Sequence, residues 1–180
     1  ILTIGKGAEG QIYLTSYTDS EISLTVREGG VTSDSGKYGA VFAESDKGNI
    51  EINTTDHVTG LDSETRPGYA AGMNLNAKNE GTVAAAVNGN VYAAADDAPE
   101  NGVLYAESLV AHSDGGTVET AVSGNVWAVA SSNGGGRADA TGISAMVSSQ
   151  SGLPGSIALK IDGDVKADAK NTDGIAEARS

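Results

Sequence analysis

Tyr92 and Trp127 are the residues of this sequence best suited to binding chemistry. Tyr92 lies in Val91-Tyr92-Ala93 and Trp127 in Val126-Trp127-Ala128, matching places in two copies of one segment. Alternation turns both side chains outward. Two rings on one surface form a platform on which a sugar stacks or a partner's apolar surface rests; the same rings can also form a ladder that shields a sheet. Phe42 and Tyr105 hold equivalent places in a second, Gly-led strand, and they complete the candidate ligand-binding set.

Other constellations are weaker. The turns Asn88-Gly89-Asn90, Ser123-Gly124-Asn125 and Asp162-Gly163-Asp164 would stack in one column. Calcium needs six to eight oxygen ligands, whereas a hydrogen-bonded turn ladder uses the same oxygens structurally. The calcium-repeat spacing is absent, and Gly134-Gly135-Gly136 lacks the Asp that should follow. His57, beside Asp56, and His112, near Asp114, fall at non-equivalent places in different repeats, so both read as exposed loop histidines rather than metal ligands or bases. No Gly-x-Ser-x-Gly elbow accompanies the many serines. Glu44, Glu107, Glu119 and Asp162 could supply the paired carboxylates of a glycosidase, yet they read as scattered charges on a solvated face. Thr117 and Thr120 do not continue into a regular threonine array. No metal and no cofactor are expected.

The elements that must position these residues are repeats. TVAAAVNGNVYA from Thr82, TVETAVSGNVWA from Thr117 and SIALKIDGDVKA from Ser156 each read as strand, tight turn, strand. Val83, Val118 and Ile157 recur at separations of 35 and 39 residues, the periodicity of a solenoid whose units bury their apolar faces only by stacking. A third, Gly-led and Ala-rich strand precedes each unit, beginning at Gly68, Gly102 and Thr141 and again at Gly174; Ala40–Ser45 precedes Asn49–Ile52 in the same way. Ile50, Ile52 and Val58 take the places of Val83, Ala85 and Val91, and a more diverged unit runs from Ile12 to about Val26. Period-2 alternation dominates. The expected fold is all-β, a right-handed parallel β-helix of about five coils of three short strands, forming a single domain. Residues 1–38 are its diverged coils and 39–180 its regular repeats. Val83, Ala85, Val87, Val91 and Ala93 should point inward, under Val118, Thr120, Val122, Val126 and Ala128, then Ile157, Leu159, Ile161, Val165 and Ala167. Leu61–Pro67 and Asp96–Asn101 are corner loops, carrying Pro67 and Pro99.

Composition sets limits. The 180 residues carry a net charge of −13, which repels nucleic-acid phosphates and excludes nucleic acid as a partner. Without cysteine, disulfides, thiol catalysis and thiolate metal sites are excluded. No apolar run is long enough to span a bilayer as a helix. The sequence opens without Met and stops part-way through a repeat, and it is expected to be a piece of a longer protein.

The Gly-led strand followed by x-Val-x-x-x-Val-x-Gly-x-Val-x-Ala, clearest in Thr141–Ala169 and Gly102–Ala130, resembles the passenger repeats of bacterial autotransporter adhesins. Filamentous-haemagglutinin-type exoproteins are similar. The resemblance covers about two-thirds of the chain, from Gly39 onward. It implies a β-helix exported to the bacterial cell surface or secreted, used in adhesion and virulence, with a surface glycan or protein as partner. Contact with the membrane would come only through an anchor or barrel domain outside these residues. Gly174-Ile175-Ala176-Glu177 departs from the pattern, placing Glu where Gly142-Ile143-Ser144-Ala145 has Ala. No functional residues carry over. The expected function is a non-catalytic structural or adhesive segment. The alternative, which the fold also hosts, is a carbohydrate-active lyase or hydrolase.

Overall fold

Alternation of apolar with polar or small residues produces strands throughout, and the described residues contain no helix. The computed structural model describes residues 1–34, 38–62, 68–96, 102–133, 136–148 and 155–180. A first coil holds β1 (Leu2–Ile4), β2 (Ala8–Glu9) and β3 (Ile12–Ser16), and a second holds β4 (Ile22–Val26), β5 (Val31–Ser33) and β6 (Val41–Ser45). The third comprises β7 (Ile50–Thr54), β8 (Val58–Leu61) and β9 (Tyr69–Ala77); the fourth β10 (Val83–Val87), β11 (Val91–Ala95) and β12 (Val103–Asp114). The fifth is β13 (Thr117–Val122), β14 (Val126–Ser132) and β15 (Arg137–Ser148); the sixth β16 (Ser156–Ile161), β17 (Val165–Asn171) and β18 (Ile175–Arg179). Corresponding strands of successive coils pair in parallel, giving three six-stranded sheets wound as one right-handed parallel β-helix. At ~4.8 Å per coil the stack is about 29 Å long.

The coils number six where the sequence predicts about five. Ile12 to Val26 is not one unit: β3 closes the first coil and β4 opens the second. The first coil is hard to read because β1 has three residues and β2 two, too few for alternation to register. The expected boundary at residue 38 falls inside the second coil, between β5 and β6. From the third coil onward the predicted register of the first two strands holds. Val83 stands opposite Ile50 and Val118, and Val118 opposite Ile157.

The inward rows form the core. Val83, Val91, Ala93, Val118, Val126 and Ala128 are fully buried, and Ala85, Val87, Thr120 and Val122 nearly so. Each apolar column removes methyl surface from water at ~25 cal/mol per Å². In the sixth coil the same columns reach the end of the stack. Ile157 and Leu159 keep the inward register and are 47% and 44% exposed there, since among the described residues the sixth coil is covered on one side only. Leu2 is 38% exposed at the opposite end.

The Gly-led strands differ from expectation in an instructive way. β15 begins at Arg137, so Gly136, not Gly142, is level with Gly102 and Gly174, while Gly68 is level with Leu104; Arg137 N–H donates to the Gly102 carbonyl and Ile175 N–H to the Gly136 carbonyl. Gly142 instead lies mid-strand, level with Gly72 and Ser108, where these long strands turn a corner. The burial pattern changes phase there: Leu104, Ala106 and Ser108 are buried, and so is the next residue, Leu109, followed by Ala111 and Ser113. The half before the corner packs Ala70, Leu104, Ala106, Ala138 and Ala140 against Ala93, Ala95, Ala128 and Ala130, a narrow seam built of alanines around Leu104. Gly60 shows how narrow it is, since a Cβ there would lie 1.6 Å from the Ala71 carbonyl oxygen. It follows that Glu177 stands opposite Asp139, not Ala145, so the acidic residue continues an acidic position.

Buried serines hold the turns that lead back to the first sheet. Ser45 Oγ accepts the Gly48 N–H (2.9 Å); Ser113 Oγ accepts the Gly116 N–H (3.0 Å) and donates to the Gly81 carbonyl (2.7 Å). Residues 63–67 and 97–101, with Pro67 and Pro99, and Gly134-Gly135 lie outside the described residues.

Candidate functional site

β11 and β14 place Tyr92 and Trp127 directly opposite each other on the outer face of the second sheet. Their ring centroids are 5.7 Å apart with planes at 69°, an edge-to-face pair in which positive ring edge meets negative ring face. Trp127 is 41% exposed and Tyr92 is half-buried. Thr59 follows Tyr92 in the same column, and a small side chain there leaves room beside the rings. The result is a shallow cavity of about 320 Å³ lined by His57, Thr59, Asn90, Tyr92, Asn125 and Trp127.

The polar rim is built by the turn ladder. Asn90 Oδ1 accepts the Asn125 N–H (2.8 Å), and Asn125 Oδ1 accepts the Asp164 N–H (2.8 Å). These oxygens tie coil to coil. Gly124 is required between them, because a Cβ would sit 2.3 Å from Asn90 Oδ1 and 2.7 Å from the Gly89 carbonyl oxygen. His57 starts the ladder: its Nδ1 accepts the Asn90 N–H (3.4 Å) while Nε2 faces Asp56 Oδ1 at 3.1 Å, which fixes the ring. Trp127 Nε1 donates to Asp168 Oδ2 (2.9 Å), fixing the indole from the sixth coil. Burial, and then the Asp96 carboxylate, hold the Tyr92 hydroxyl above its ordinary pKa, so it is a neutral donor at physiological pH. Such a site has ring faces for stacking and neutral groups for hydrogen bonding.

The other two candidate residues do not join it. Phe42 stands opposite Tyr13 and Asn74, whereas Tyr105 stands opposite Tyr69 and Asp139, so the two are not equivalent: they lie on opposite sides of the strand corner. Phe42 is only 8% exposed, and Tyr13 stacks on it with centroids 4.7 Å apart and planes at 12°. Tyr38 closes the trio at 4.9 Å from Phe42, so the accessible ring of this cluster is Tyr13, 50% exposed.

Tyr105 is exposed beside a network of satisfied charges. Tyr69 donates to Glu107 (3.0 Å), Arg137 grips Asp139 (2.7 Å) and reaches Glu177 (3.0 Å), and Arg179 meets the same Glu177 (2.7 Å). Burial, reinforced by the charge of Glu107, pushes the Tyr69 hydroxyl well above its ordinary pKa. That is the wrong direction for a catalytic base.

Beyond the corner, β12 and β15 bring together residues that the sequence reading keeps apart. Ser148 Oγ donates to Asp114 Oδ1 (3.2 Å) and lies 3.0 Å from His112 Nε2, which therefore acts as donor. In a hydrolytic triad the imidazole stands between serine and carboxylate and takes the serine proton. Here the serine stands in the middle, and its proton is held by the carboxylate. Glu44 and Asp46 share Lys78, at 3.1 and 3.2 Å. A larger depression of about 420 Å³ lies over Ala84, Ala86, Ala121 and Ala158 of the first sheet, but no ring lines it. Among the described residues, no group of three or more His, Asp or Glu side chains converges on a metal position.

The sequence identifies Tyr92 and Trp127 but misses His57, Asn90, Asn125 and Asp168 as their neighbours. The signal is present: His57, Asn90 and Asn125 each precede the first valine of the second strand, the residue that sets the register. No protein-family model, no curated protein and no solved structure matches this chain.

Proposed function

We propose that this chain is a non-catalytic, saccharide-binding segment of a secreted or surface-exposed bacterial adhesin, with the β-helix as rigid stalk and the Tyr92–Trp127 face as the binding surface. The observation that carries the reading is the exposed edge-to-face ring pair beside a cavity rimmed by His57, Thr59, Asn90 and Asn125. An indole anchored through Nε1 to Asp168 offers a fixed face on which the C–H face of a sugar packs. Surface location rests on the resemblance of the repeats. The non-catalytic part is supported by the polar clusters elsewhere, whose carboxylates are engaged by Arg137, Arg179, Lys78, Tyr69 or Ser148.

Trp127 is the single tryptophan, so its fluorescence reports on this site alone. Titration across neutral, basic and acidic oligosaccharides should find ligands that quench it. Trp127→Ala should then weaken calorimetric affinity by at least about 2 kcal/mol, roughly thirtyfold, as loss of a central aromatic anchor does. Its circular dichroism should be unchanged, because the ring is on the outer face. Unaltered affinity in that variant refutes the site, and new reducing ends released from a polysaccharide would replace this reading with the enzymatic one.

A further inference from the structure

Resting on the saccharide-binding reading, we infer that the Tyr92–Trp127 site selects an amino sugar carrying a free ammonium group over N-acylated or acidic sugars. Three rings line the cavity, those of His57, Tyr92 and Trp127. Two of them are held by carboxylates at the site's edges. Asp56 fixes His57 from the turn, and Asp168, exposed on the sixth coil, fixes Trp127. Asp96 lies close enough to Tyr92 to act on its hydroxyl, and Asp62 Oδ2 accepts the Asp96 N–H at 3.2 Å, so a second pair of carboxylates stands at the far end of β11.

Opposing charge is scarce. Lys166 stands opposite Trp127, but its Nζ is drawn to Asp164 Oδ2 at 3.2 Å, and Lys170 lies farther along, opposite Ser131. An ammonium group is attracted by ring faces and by flanking carboxylates together, and a carboxylated sugar is repelled by the same groups. The net charge of −13 adds long-range attraction for a polycationic glycan. With a volume near 320 Å³, at the lower end of the roughly 300–1,000 Å³ range of ligand pockets, the site takes a short stretch of such a glycan.

The test titrates Trp127 fluorescence with a glucosamine pentasaccharide, its fully N-acetylated counterpart, a galacturonate oligomer and poly-lysine. The glucosamine oligomer should bind tightest and the galacturonate oligomer should not bind. Raising salt should erase the advantage over the N-acetylated form, since exposed charges are screened. Asp168→Asn keeps an acceptor for the indole while removing the charge. It should weaken glucosamine-oligomer binding about two- to fivefold more than N-acetylated-oligomer binding, a difference the size of an exposed charge contact. Equal or tighter binding of the N-acetylated oligomer, or an equal effect of Asp168→Asn on the two oligomers, overturns the inference and leaves saccharide binding standing. Quenching by neither sugar, or by poly-lysine alone, overturns both.

Discussion

Thr120→Val should make the protein more stable. Thr120 lies in the inward row of β13 between Val118 and Val122, opposite Ala85 in one neighbouring coil and Leu159 in the other, and it is only 4% exposed. Its Oγ1 is buried and meets no hydrogen-bond partner. A buried hydroxyl without a partner costs about 1–3 kcal/mol, and valine has the same shape with a methyl in place of the oxygen. The lower half of that range applies, because the neighbouring column opens to solvent one coil later at Leu159. A gain of about 1–2 kcal/mol follows, which for a domain of this size raises Tm by roughly 3–6 °C. Urea titration followed by Trp127 fluorescence reads the fifth coil, where Thr120 itself lies. Equal slopes for the two proteins would show that the midpoint shift is a stability change. Thr120→Ser separates the two groups: it keeps the hydroxyl, loses the methyl, and should cost about 1 kcal/mol. If Thr120→Val is less stable than the parent, Oγ1 has a partner, such as a buried water, and the reasoning fails.

Two further expectations concern face and charge. Val122→Asp buries a carboxylate in an inward column and should unfold the neighbouring coils, while Glu119→Ala on the exposed face should shift stability by less than about 0.5 kcal/mol; equal thermal midpoints would refute the face assignment. Tyr69 should make the protein sensitive to alkali. Its folded pKa is raised, so the stability it contributes is complete below the unfolded value of about 10 and is lost as pH rises toward the folded value. Tyr69→Phe should flatten that alkaline decline in urea titrations, and an identical decline in both proteins would contradict the burial argument.

The sequence makes the first two strands of the third to sixth coils legible because a tight turn joins them. From Val83 to Val91 the spacing is rigid, and the same spacing from Ile50 to Val58 carries the register backwards. The third strand is less legible, since the corner at Gly72, Ser108 and Gly142 breaks the alternation, and the fifth coil then offers two glycines, Gly136 and Gly142, that could lead it. Choosing Gly142 over Gly136 displaces the whole strand, and aligning Ala40–Ser45 with the start of β12 makes Phe42 and Tyr105 look equivalent. The meeting of His112, Asp114 and Ser148 depends on that same register, so their contact is hidden until β12 and β15 are aligned. At the binding face, outward rings are readable from alternation alone. Their fixation by Asp168 is not, because it is a diagonal contact between Trp127 and a residue paired with Val129.

The winding of three sheets into one helix has a mechanical consequence. Ladder hydrogen bonds between coils run along the axis of the stack, so a pull along that axis loads them directly. The third to fifth coils keep 33 to 39 residues each in ~4.8 Å of stack, yet such a length of chain drawn straight spans about 120 Å. Release of one coil therefore lengthens the chain some 25-fold locally while the remaining coils, and the Tyr92–Trp127 surface on the fourth and fifth, keep their shape.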